Sequence, residues 1–477
     1  MTLLHNVRPK LTLLDPDQIA QVHQYALQIL ENTGVRVDSR PVRELLVRKL
    51  GAASTDGDIV RLPPEIVEWA LGTAPGVVDV YNRRGELAFR LGADRHRFGI
   101  GVTSLYYQDP LTDELVKFAR PHMEEVVRMG EMLPLYDVIS TIGVLQDVPP
   151  AVSDLYATLD MIANTVKPLV ILISDETKFP AVLDLLEHLH GDLASRPFVI
   201  PYFNPVSPLV MNDGTLDKMQ VAIQRGIPFI YSNYGMTGMS TPITSAGTLV
   251  LLLAELLAGL TVSQLIKEGT PVILGMLPAY FDMKTMVNFY DSQSMLVNLA
   301  CAELMAHYGL PHAGTSGSGN GWGPDLLSAE MYWINHMTYS LTKGGLSPFV
   351  GDTLTSKAFS PTNCIYVHEV IQQVLDYANG FQLDEQTSCL DEIATEGPGG
   401  HFLTSPTTLT NYKHAYYTSP IFPRYSMENW VEEGRPQAVD VLRQYTRNLL
   451  QELQAPEDHR ELLTKGEAFI KNLPQIF

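Results

Sequence analysis

Cysteine and basic residues are scarce in this chain, and both shortages exclude classes of protein. Its 477 residues include three cysteines, Cys301, Cys364 and Cys389, with no CxxC pair. Such an odd, scattered set indicates reduced thiols in a cytoplasmic protein rather than a disulfide framework or a zinc knuckle. Lysine and arginine total 33 against 53 acidic residues, which gives a net charge of −20. Since no basic run could follow a phosphate backbone, we do not expect nucleic acid binding.

Several familiar motifs are also missing. The chain has no GxSxG elbow, no HExxH pair, no Walker sequence and no GxGxxG dinucleotide fingerprint. Residues Met1–Lys10 lack the apolar core of a secretory signal, so export is not expected. One stretch, Ile243–Ile266, resembles a membrane span, but Glu255 interrupts it near the middle. We interpret it as a helix buried in protein or at a subunit contact and expect no membrane association.

The chain does contain a regular series of short apolar, β-rich stretches. The second to fifth of them start at residues 138, 168, 198 and 227, steps of 30, 30 and 29 residues. Each step fits one strand plus one crossover helix, such as the helix signal in Thr215–Arg225. The pattern predicts an α/β fold, a TIM (β/α)8 barrel, with a doubly wound open sheet as the alternative. The predicted strands are Phe98–Thr103, Val138–Leu145, Pro168–Ile173, Phe198–Phe203, Ile227–Ser232, Pro271–Leu277, Leu310–Gly314 and Ser347–Gly351.

Additional segments flank the predicted barrel on both sides. We predict an N-terminal helical cap region in residues 1–95, a barrel catalytic domain in residues 96–435 and C-terminal helices in residues 436–477. The cap has one helix near residues 17–33, ended by Gly34, a second near 41–50 and a third ending near 71. The C-terminal helices are predicted at 437–453 and 457–472.

The loops that follow the predicted strands give the best clue to a ligand, since they build the reactive face of a barrel. Aromatic, amide and hydroxyl side chains dominate them, and lysine and arginine are nearly absent. A phosphate site would need cations as well as backbone amides. Electron-rich rings with few competing cations suit a bound quaternary ammonium, which cannot donate hydrogen bonds.

Motifs along nearly the whole chain resemble the trimethylamine methyltransferase-like family, the amine:corrinoid methyltransferases. They are Ile29–Val35, Val60–Pro63, Ala74-Pro75, Pro242–Gly247, Glu255–Gly259, Gln264-Leu265, Gly269–Val272, Tyr308–Pro311 and, most specific, Gly397–Leu403. The resemblance implies a TIM barrel and a homo-oligomer. It also implies transfer of a methyl group from an amine to the Co(I) of a corrinoid (cobalamin), carried by a separate small protein or supplied free.

The chain departs from the family pattern in two respects. Trimethylamine enzymes carry pyrrolysine, whereas this sequence contains only the twenty ordinary residues. After Leu310-Pro311, where many relatives carry Thr-Asp-x-Lys, a Gly/Ser-rich loop ends in Trp322. We therefore expect a quaternary amine as substrate, because it leaves as a neutral amine and needs no general acid. Glycine betaine is the first choice, ahead of proline betaine, carnitine and butyrobetaine, and no tightly bound metal is expected.

Strand-end residues supply the candidates for the site. The predicted ammonium cage comprises Tyr106, Phe203, Tyr231, Tyr280, Trp322 and Phe349. The candidates for a substrate carboxylate are Asn204, Asn233 and His312, and Asp352 either complements the cation or caps a helix. The residues expected at the mouth or facing the corrinoid are Gly319, Gly321, Gly399, Gly400 and His401.

Two other functions compete with this interpretation. One is a noncatalytic barrel that binds or senses quaternary amines. The other is a zinc-dependent corrinoid methyltransferase acting on methanol or thiols, which the lack of a Cys/His ligand set disfavours.

Overall fold

Eight parallel strands close into a barrel, so the predicted TIM (β/α)8 fold is confirmed and the open sheet is excluded. The computed structural model describes residues 5–93, 95–314, 319–342 and 345–473. Each barrel strand pairs in parallel with the next along the chain, and the eighth pairs with the first. The strands are β1 (Arg97–Ile100), β2 (Val138–Ser140), β3 (Leu169–Ile171), β4 (Val199–Phe203), β5 (Phe229–Thr237), β6 (Val272–Asp282), β7 (His312–Ala313) and β8 (Gly345–Val350).

A helix follows every barrel strand. The helix predicted over Thr215–Arg225 is found at Asp213–Gln224, within two residues of the prediction. The eight helices are α1 (Arg120–Met132), α2 (Pro150–Asn164), α3 (Phe179–His190), α4 (Asp213–Gln224), α5 (Ser245–Ile266), α6 (Ser292–Tyr308), α7 (Leu326–Ser340) and α8 (Pro361–Asn379).

Helix α5 accounts for the apolar run near the middle of the sequence. Of the helices in the described residues, it alone is long and apolar enough to cross a membrane by length and composition. Within its most apolar window, 83% of the residues are buried. Strands β5 and β6 contact it on one side, and the N-terminal helices Pro16–Gln28 and Pro64–Thr73 contact it on the other. The helix is apolar on all its faces because protein covers it on all sides.

The N-terminal region combines helices with small sheets. Its helices are Pro16–Gln28, continued by a π turn over Ile29–Thr33, then Arg40–Leu50 and Pro64–Thr73. Gly34 ends the first of these, with φ of 75° and so little space that a Cβ atom would lie 2.6 Å from the Val60 carbonyl oxygen. Only glycine fits there.

A hairpin that the sequence analysis did not predict closes the amino-terminal end of the barrel. Its strands are Val78–Tyr81 and Leu87–Leu91. Apolar side chains of the hairpin, among them Val80 and Phe89, pack with inward-facing barrel residues into one buried cluster. The opposite end, where the strands reach their carboxyl termini, is therefore the end that remains for a ligand.

Two C-terminal helices lie on the outside of the barrel, close to their predicted positions. Helix Ala438–Gln451 packs against α8 and α1, and helix His459–Asn472 packs against α2 and α3. Arg83, in the turn of the hairpin, donates hydrogen bonds of 2.5 and 2.9 Å to the carboxylate of Asp458. This ion pair connects the hairpin to the start of the last C-terminal helix.

Candidate functional site

The carboxyl-terminal mouth of the barrel carries a raised rim. Strands β5 and β6 run 9 and 11 residues, well past the barrel, and β6 folds back to pair with Val287–Phe289. A small sheet forms another part of the rim. Its four strands are Tyr106–Gln108, Leu115–Lys117, Asp352–Thr353 and Ala358–Phe359.

Inside the rim lies a cavity of about 220 Å³, here called the lumen cavity. Its lining contains four aromatic rings, one amide, two hydroxyls and three aliphatic side chains, and it contains no charged residue. The lining residues are Val102, Thr103, Leu172, Tyr202, Asn204, Tyr234, Leu277, Tyr290, Phe349 and Ser356.

The aromatic rings of the lumen cavity are held in place by direct contacts. Tyr202 and Phe349 meet edge to face, with ring centroids 5.0 Å apart. The Tyr234 hydroxyl accepts a 2.5 Å hydrogen bond from Asn288. Asn320 binds both backbone groups of Tyr290, accepting from its N–H at 3.1 Å and donating to its carbonyl at 2.5 Å. The rings are therefore fixed in position before any ligand binds.

Burial keeps the lumen cavity electrically neutral. Desolvation raises the pKa of the Tyr202 phenol. Desolvation likewise raises the pKa of Tyr234. Both phenols are therefore uncharged at neutral pH, and the ring faces present only their negative quadrupole to a ligand.

Asn204 is the amide of the lumen cavity. Its side-chain Nδ2 donates a 2.8 Å hydrogen bond to the Ser232 carbonyl, and its backbone carbonyl accepts a 2.5 Å hydrogen bond from the Thr215 hydroxyl. Asp352, buried below the rim, accepts a 2.8 Å hydrogen bond from the hydroxyl of Ser356. The polar groups of the cavity are thus oriented from behind by strand and loop backbone and by one buried carboxylate.

A second, wider depression of about 600 Å³, here called the outer cleft, adjoins the lumen cavity. Consecutive residues line the two spaces. Asn288 and Phe289 line the outer cleft, and the next residue, Tyr290, lines the lumen cavity. Likewise, Thr355 lines the outer cleft and Ser356 lines the lumen cavity. The remaining lining residues of the outer cleft are Tyr106, Leu115, Asp282, Thr285, Val287, Asn320, Trp322, Leu354, Lys357 and Ala358.

The structure distributes the predicted site residues over several places. Asn204 and Phe349 line the lumen cavity, whereas Tyr106 and Trp322 line the outer cleft. Trp322 is 71% exposed there. Tyr280 lies on the extended part of β6, where its hydroxyl is 3.1 Å from the Ser245 hydroxyl at the start of α5.

Three predicted residues on β4 and β5 face the surrounding helices instead of the lumen. Phe203 packs against the rings of Phe179 and Phe229. Tyr231 covers Gly259 of α5, where a Cβ atom would come within 2.1 Å of its ring. Asn233 donates to the Leu252 carbonyl and to Glu255. Because side chains alternate along a strand, it is Tyr202, Asn204 and Tyr234, one position away, that face inward.

His312 and Asp352 also lie outside the cavity lining. His312 is buried behind β7, with its ring parallel to that of Tyr339 at 6.0 Å. Asp352 is fully buried, and its carbonyl accepts a 2.7 Å hydrogen bond from Tyr332. Because neither lines the lumen cavity, His312 is not placed to bind a substrate carboxylate there and Asp352 is not placed to complement the cation. Asp352 lies on a strand, and Ser360 is the N-cap of the helix that follows.

The two glycine-rich segments, the Gly/Ser-rich loop that ends in Trp322 and the motif Gly397–Leu403, have different surroundings. Gly319 and Gly321 are buried beneath the rim, where the Gly321 carbonyl accepts a 2.6 Å hydrogen bond from the Thr353 hydroxyl. Gly399, Gly400 and His401 are exposed and line neither the cavity nor the cleft. Residues 315–318 of the first segment lie outside the described residues.

Sequence reasoning missed Tyr202, Tyr234 and Tyr290 as lining residues. For Tyr202 a signal existed, because Ile200, Tyr202 and Asn204 alternate along one face of the predicted strand. Within the described residues, no group of three or more His, Cys, Asp or Glu side chains converges as metal ligands do.

Glu255 is a buried carboxylate that connects the loop after β4 with β5. It accepts hydrogen bonds of 2.7 Å from Ser207, 2.8 Å from the Leu209 N–H and 2.9 Å from Asn233. Desolvation raises its pKa, and these hydrogen bonds oppose the rise. The single carboxylate accepts hydrogen bonds from all three donors, and these bonds hold the loop that begins at Asn204 in place.

We expect Glu255→Leu to destabilise the protein by about 3 kcal/mol or more, since each buried donor left without an acceptor costs roughly 1–3 kcal/mol. Urea unfolding followed by circular dichroism measures the loss. Glu268→Leu, on an exposed residue just past the end of α5, is the matched control and should change stability by about 0.5 kcal/mol at most. Equal losses in the two variants would contradict the role given to Glu255.

Comparisons with known proteins agree with this architecture. The family model described as trimethylamine methyltransferase matches residues 1–472. A glycine betaine methyltransferase of Desulfitobacterium hafniense is 26% identical over 441 residues, covering 89% of each chain. A trimethylamine methyltransferase of Methanosarcina barkeri is 22% identical, covering 98% of this chain and 96% of the relative. The crystal structure of the Methanosarcina barkeri monomethylamine methyltransferase shares the fold, with a TM-score of 0.52, 10% identity and coverage of 93% and 88%.

Proposed function

Because the chain belongs to the trimethylamine methyltransferase family, whose members act on methylated amines, we propose that it demethylates a quaternary amine. Glycine betaine is the first candidate, and proline betaine, carnitine and butyrobetaine are the alternatives. The methyl acceptor in this proposal is the Co(I) of a corrinoid, carried by a separate small protein or supplied free. We place the reaction in the cytoplasm and expect the subunits to form a homo-oligomer.

The single observation that carries the substrate class is the neutral, four-ring lining of the lumen cavity. A quaternary ammonium is permanently charged and has no N–H to donate, so it depends on ring faces and dispersion for binding. A primary or secondary ammonium would instead need hydrogen-bond acceptors, preferably a carboxylate, and no carboxylate lines the cavity. The lining therefore favours a fully methylated nitrogen.

The leaving group explains why no general acid is needed. When the N–CH₃ bond of a quaternary amine breaks, nitrogen keeps the bonding electron pair and leaves as a neutral tertiary amine. A bound corrinoid would supply the nucleophile that accepts the methyl group. The residues of this chain hold the ammonium against Tyr202, Tyr234 and Phe349, exclude water and fix the direction in which one methyl group points.

A carboxylate on the substrate can be bound by neutral donors in this site. Thr103, Ser356 and the Asn204 amide line the lumen cavity together with the aromatic rings. The Thr103 hydroxyl donates to the Val102 carbonyl and the Ser356 hydroxyl donates to Asp352. The second N–H of the Asn204 amide can therefore orient a carboxylate without adding a cation that would repel the ammonium. Of the three residues first predicted to bind a carboxylate, Asn204 alone lies in the cavity lining, and we retain it for this role.

The mouth of the barrel also fits the proposed acceptor. The rim is open beside the lumen cavity, where the outer cleft measures about 600 Å³. Tyr106, Trp322 and Leu354 are among the apolar residues of its lining, which suit contact with the flat face of a macrocycle. Lys357 is the one basic residue in its lining.

A panel of quaternary amines incubated with the enzyme and free cob(I)alamin tests the proposal, with the absorbance of methylcobalamin as readout. We expect methylcobalamin from at least one of the betaines, and none from trimethylamine. Binding of a betaine measured by calorimetry without any methylcobalamin would instead favour the noncatalytic sensor. Absence of both binding and turnover across the panel would exclude the proposed substrate class.

A further inference from the structure

The segment of residues 384–416, here called the arm, has almost no core of its own. It follows the strand Phe381–Leu383, which pairs with His5–Val7. Within the described residues, its hydrogen bonds stay inside the segment or reach the adjoining Gln382, and Ser405 is its one buried residue. Its two helices, Leu390–Glu396 and Pro406–Asn411, are too short to be stable in isolation.

The arm exposes apolar side chains instead of burying them. Leu403 is 77% exposed, and six further large apolar residues of the arm are between 43% and 65% exposed. These six are Leu390, Ile393, Phe402, Leu409, Tyr412 and Tyr416. Together with the adjoining Phe381 and Leu383, they offer several hundred Å² of apolar surface, roughly what one partner contributes to a stable interface.

The base of the arm is fixed to the barrel. Glu369 of α8 accepts hydrogen bonds of 2.5 Å from the Tyr417 hydroxyl and 2.6 Å from the Ser419 hydroxyl. Phe422, a few residues further on, packs against Tyr366. The arm therefore projects from a rigid base, which lowers the entropy lost when its surface is covered.

An apolar groove of about 440 Å³ lies on the outside of the same barrel, between α7, α8 and the helix Ala438–Gln451. Its apolar lining includes Leu326, Ala329, Tyr366, Phe422, Val439 and Leu442, and the polar residues Asp325, Ser328, Asn363 and Gln437 line it as well. Leu326 is 88% exposed, and no residue of the arm reaches this groove within its own chain. The molecule thus presents an uncovered apolar segment and an unfilled apolar groove.

We propose that the arm of one copy docks into the apolar groove of a second copy of this chain, and that the second copy returns the same contact. Both surfaces belong to one sequence, so a two-fold axis would satisfy both at once. A corrinoid carrier is a less suitable occupant, because it must leave with its methyl group and would expose the arm in every cycle. Permanently covered interfaces are the more hydrophobic ones. The inference rests on the homo-oligomer expected in the proposed function, names the surfaces that form it, and does not depend on the methyl donor.

Size-exclusion chromatography with light scattering of the full chain tests this contact. We expect the wild type to be a dimer or a multiple of dimers. Leu403→Asp together with Leu409→Asp in the arm, and separately Leu326→Asp in the groove, should each reduce the mass by half or more. Met239→Asp is the matched control, since Met239 is 61% exposed but lies outside both surfaces, and it should keep the wild-type mass.

The variants change exposed residues, so circular dichroism should show that each remains folded. In addition, a tagged wild-type copy should retain untagged wild-type chain on an affinity column but not the untagged arm variant. A monomeric wild type would overturn the proposal, as would folded arm and groove variants that keep the wild-type mass and are still retained by the tagged copy.

Discussion

Replacing Phe349 with leucine is expected to raise the KM for the quaternary amine about 30-fold, because the loss of a desolvated cation–π contact costs about 2 kcal/mol. Leucine keeps an apolar side chain in the lumen cavity but removes the ring face. As the methyl group departs, nitrogen loses positive charge, so the ring stabilises the ground state at least as well as the transition state. We therefore expect the change in KM rather than in kcat. Steady-state kinetics with the best betaine of the panel measures both.

Two further variants separate the ring from its volume. Phe349→Tyr retains an aromatic face toward the lumen and should stay within a few-fold of the wild-type KM. Phe469→Leu makes the leucine substitution on a C-terminal helix, outside the cavity, and should leave KM unchanged. If Phe349→Leu kept the wild-type KM, the aromatic lining would not be what holds the ammonium.

The barrel was predictable from the sequence because its signals are repeated. Each apolar stretch is followed by a helical one, and a spacing near 30 residues leaves room for little besides a strand and its crossover helix. Every one of the eight predicted stretches overlaps a barrel strand. The hairpin Val78–Tyr81 and Leu87–Leu91 lacks such repetition and was not predicted.

The site was harder to predict because its composition and its geometry are separate questions. Aromatic and amide residues do collect at the strand ends, as predicted, but a strand sends alternate side chains to opposite faces. Phe203 is one residue from Tyr202, and Tyr231 is three residues from Tyr234. Because both offsets are odd, the predicted residues lie on the helix-facing side of their strands and the observed ones face the lumen. On fully buried parallel strands both faces are apolar, so hydrophobicity alone does not distinguish them.

His312 illustrates the same difficulty with a polar residue. Its position at a strand end suggested a ligand for a carboxylate, but it packs between the barrel and α7 with Tyr339. Two more buried histidines lie close to this region. His96 exchanges a 2.8 Å hydrogen bond with Ser347, and His336 lies between the rings of Phe98 and Tyr332. In the described residues, neither ring nitrogen of His312 or His336 has a hydrogen-bond partner.

These buried histidines should make the protein lose stability between pH 7 and pH 5. Burial lowers the pKa of His312 to about 3 and that of His336 to about 3. Burial, the neighbouring His312 and His336, and Arg95 also lower the pKa of His96. In the unfolded chain each imidazole titrates near 6.5, so the unfolded state binds more protons as the pH falls below that value. The stability that these neutral histidines contribute is therefore fully present above about pH 6.5 and is lost progressively as the pH falls toward 3.

The variant His336→Leu isolates one of these contributions. Its free energy of unfolding should equal or exceed that of the wild type at pH 7, because the buried imidazole has no hydrogen bond to lose in the described residues. At pH 5 the variant should be more stable than the wild type by about 2 kcal/mol. This is the free energy of binding one proton to the unfolded imidazole at about 1.5 pH units below its pKa, at about 1.4 kcal/mol per unit. Urea unfolding at the two pH values measures the difference. His307→Leu, on an exposed residue near the end of α6, is the control and should keep the wild-type pH dependence. The same pH dependence in His336→Leu as in the wild type would mean that His336 does not titrate on unfolding.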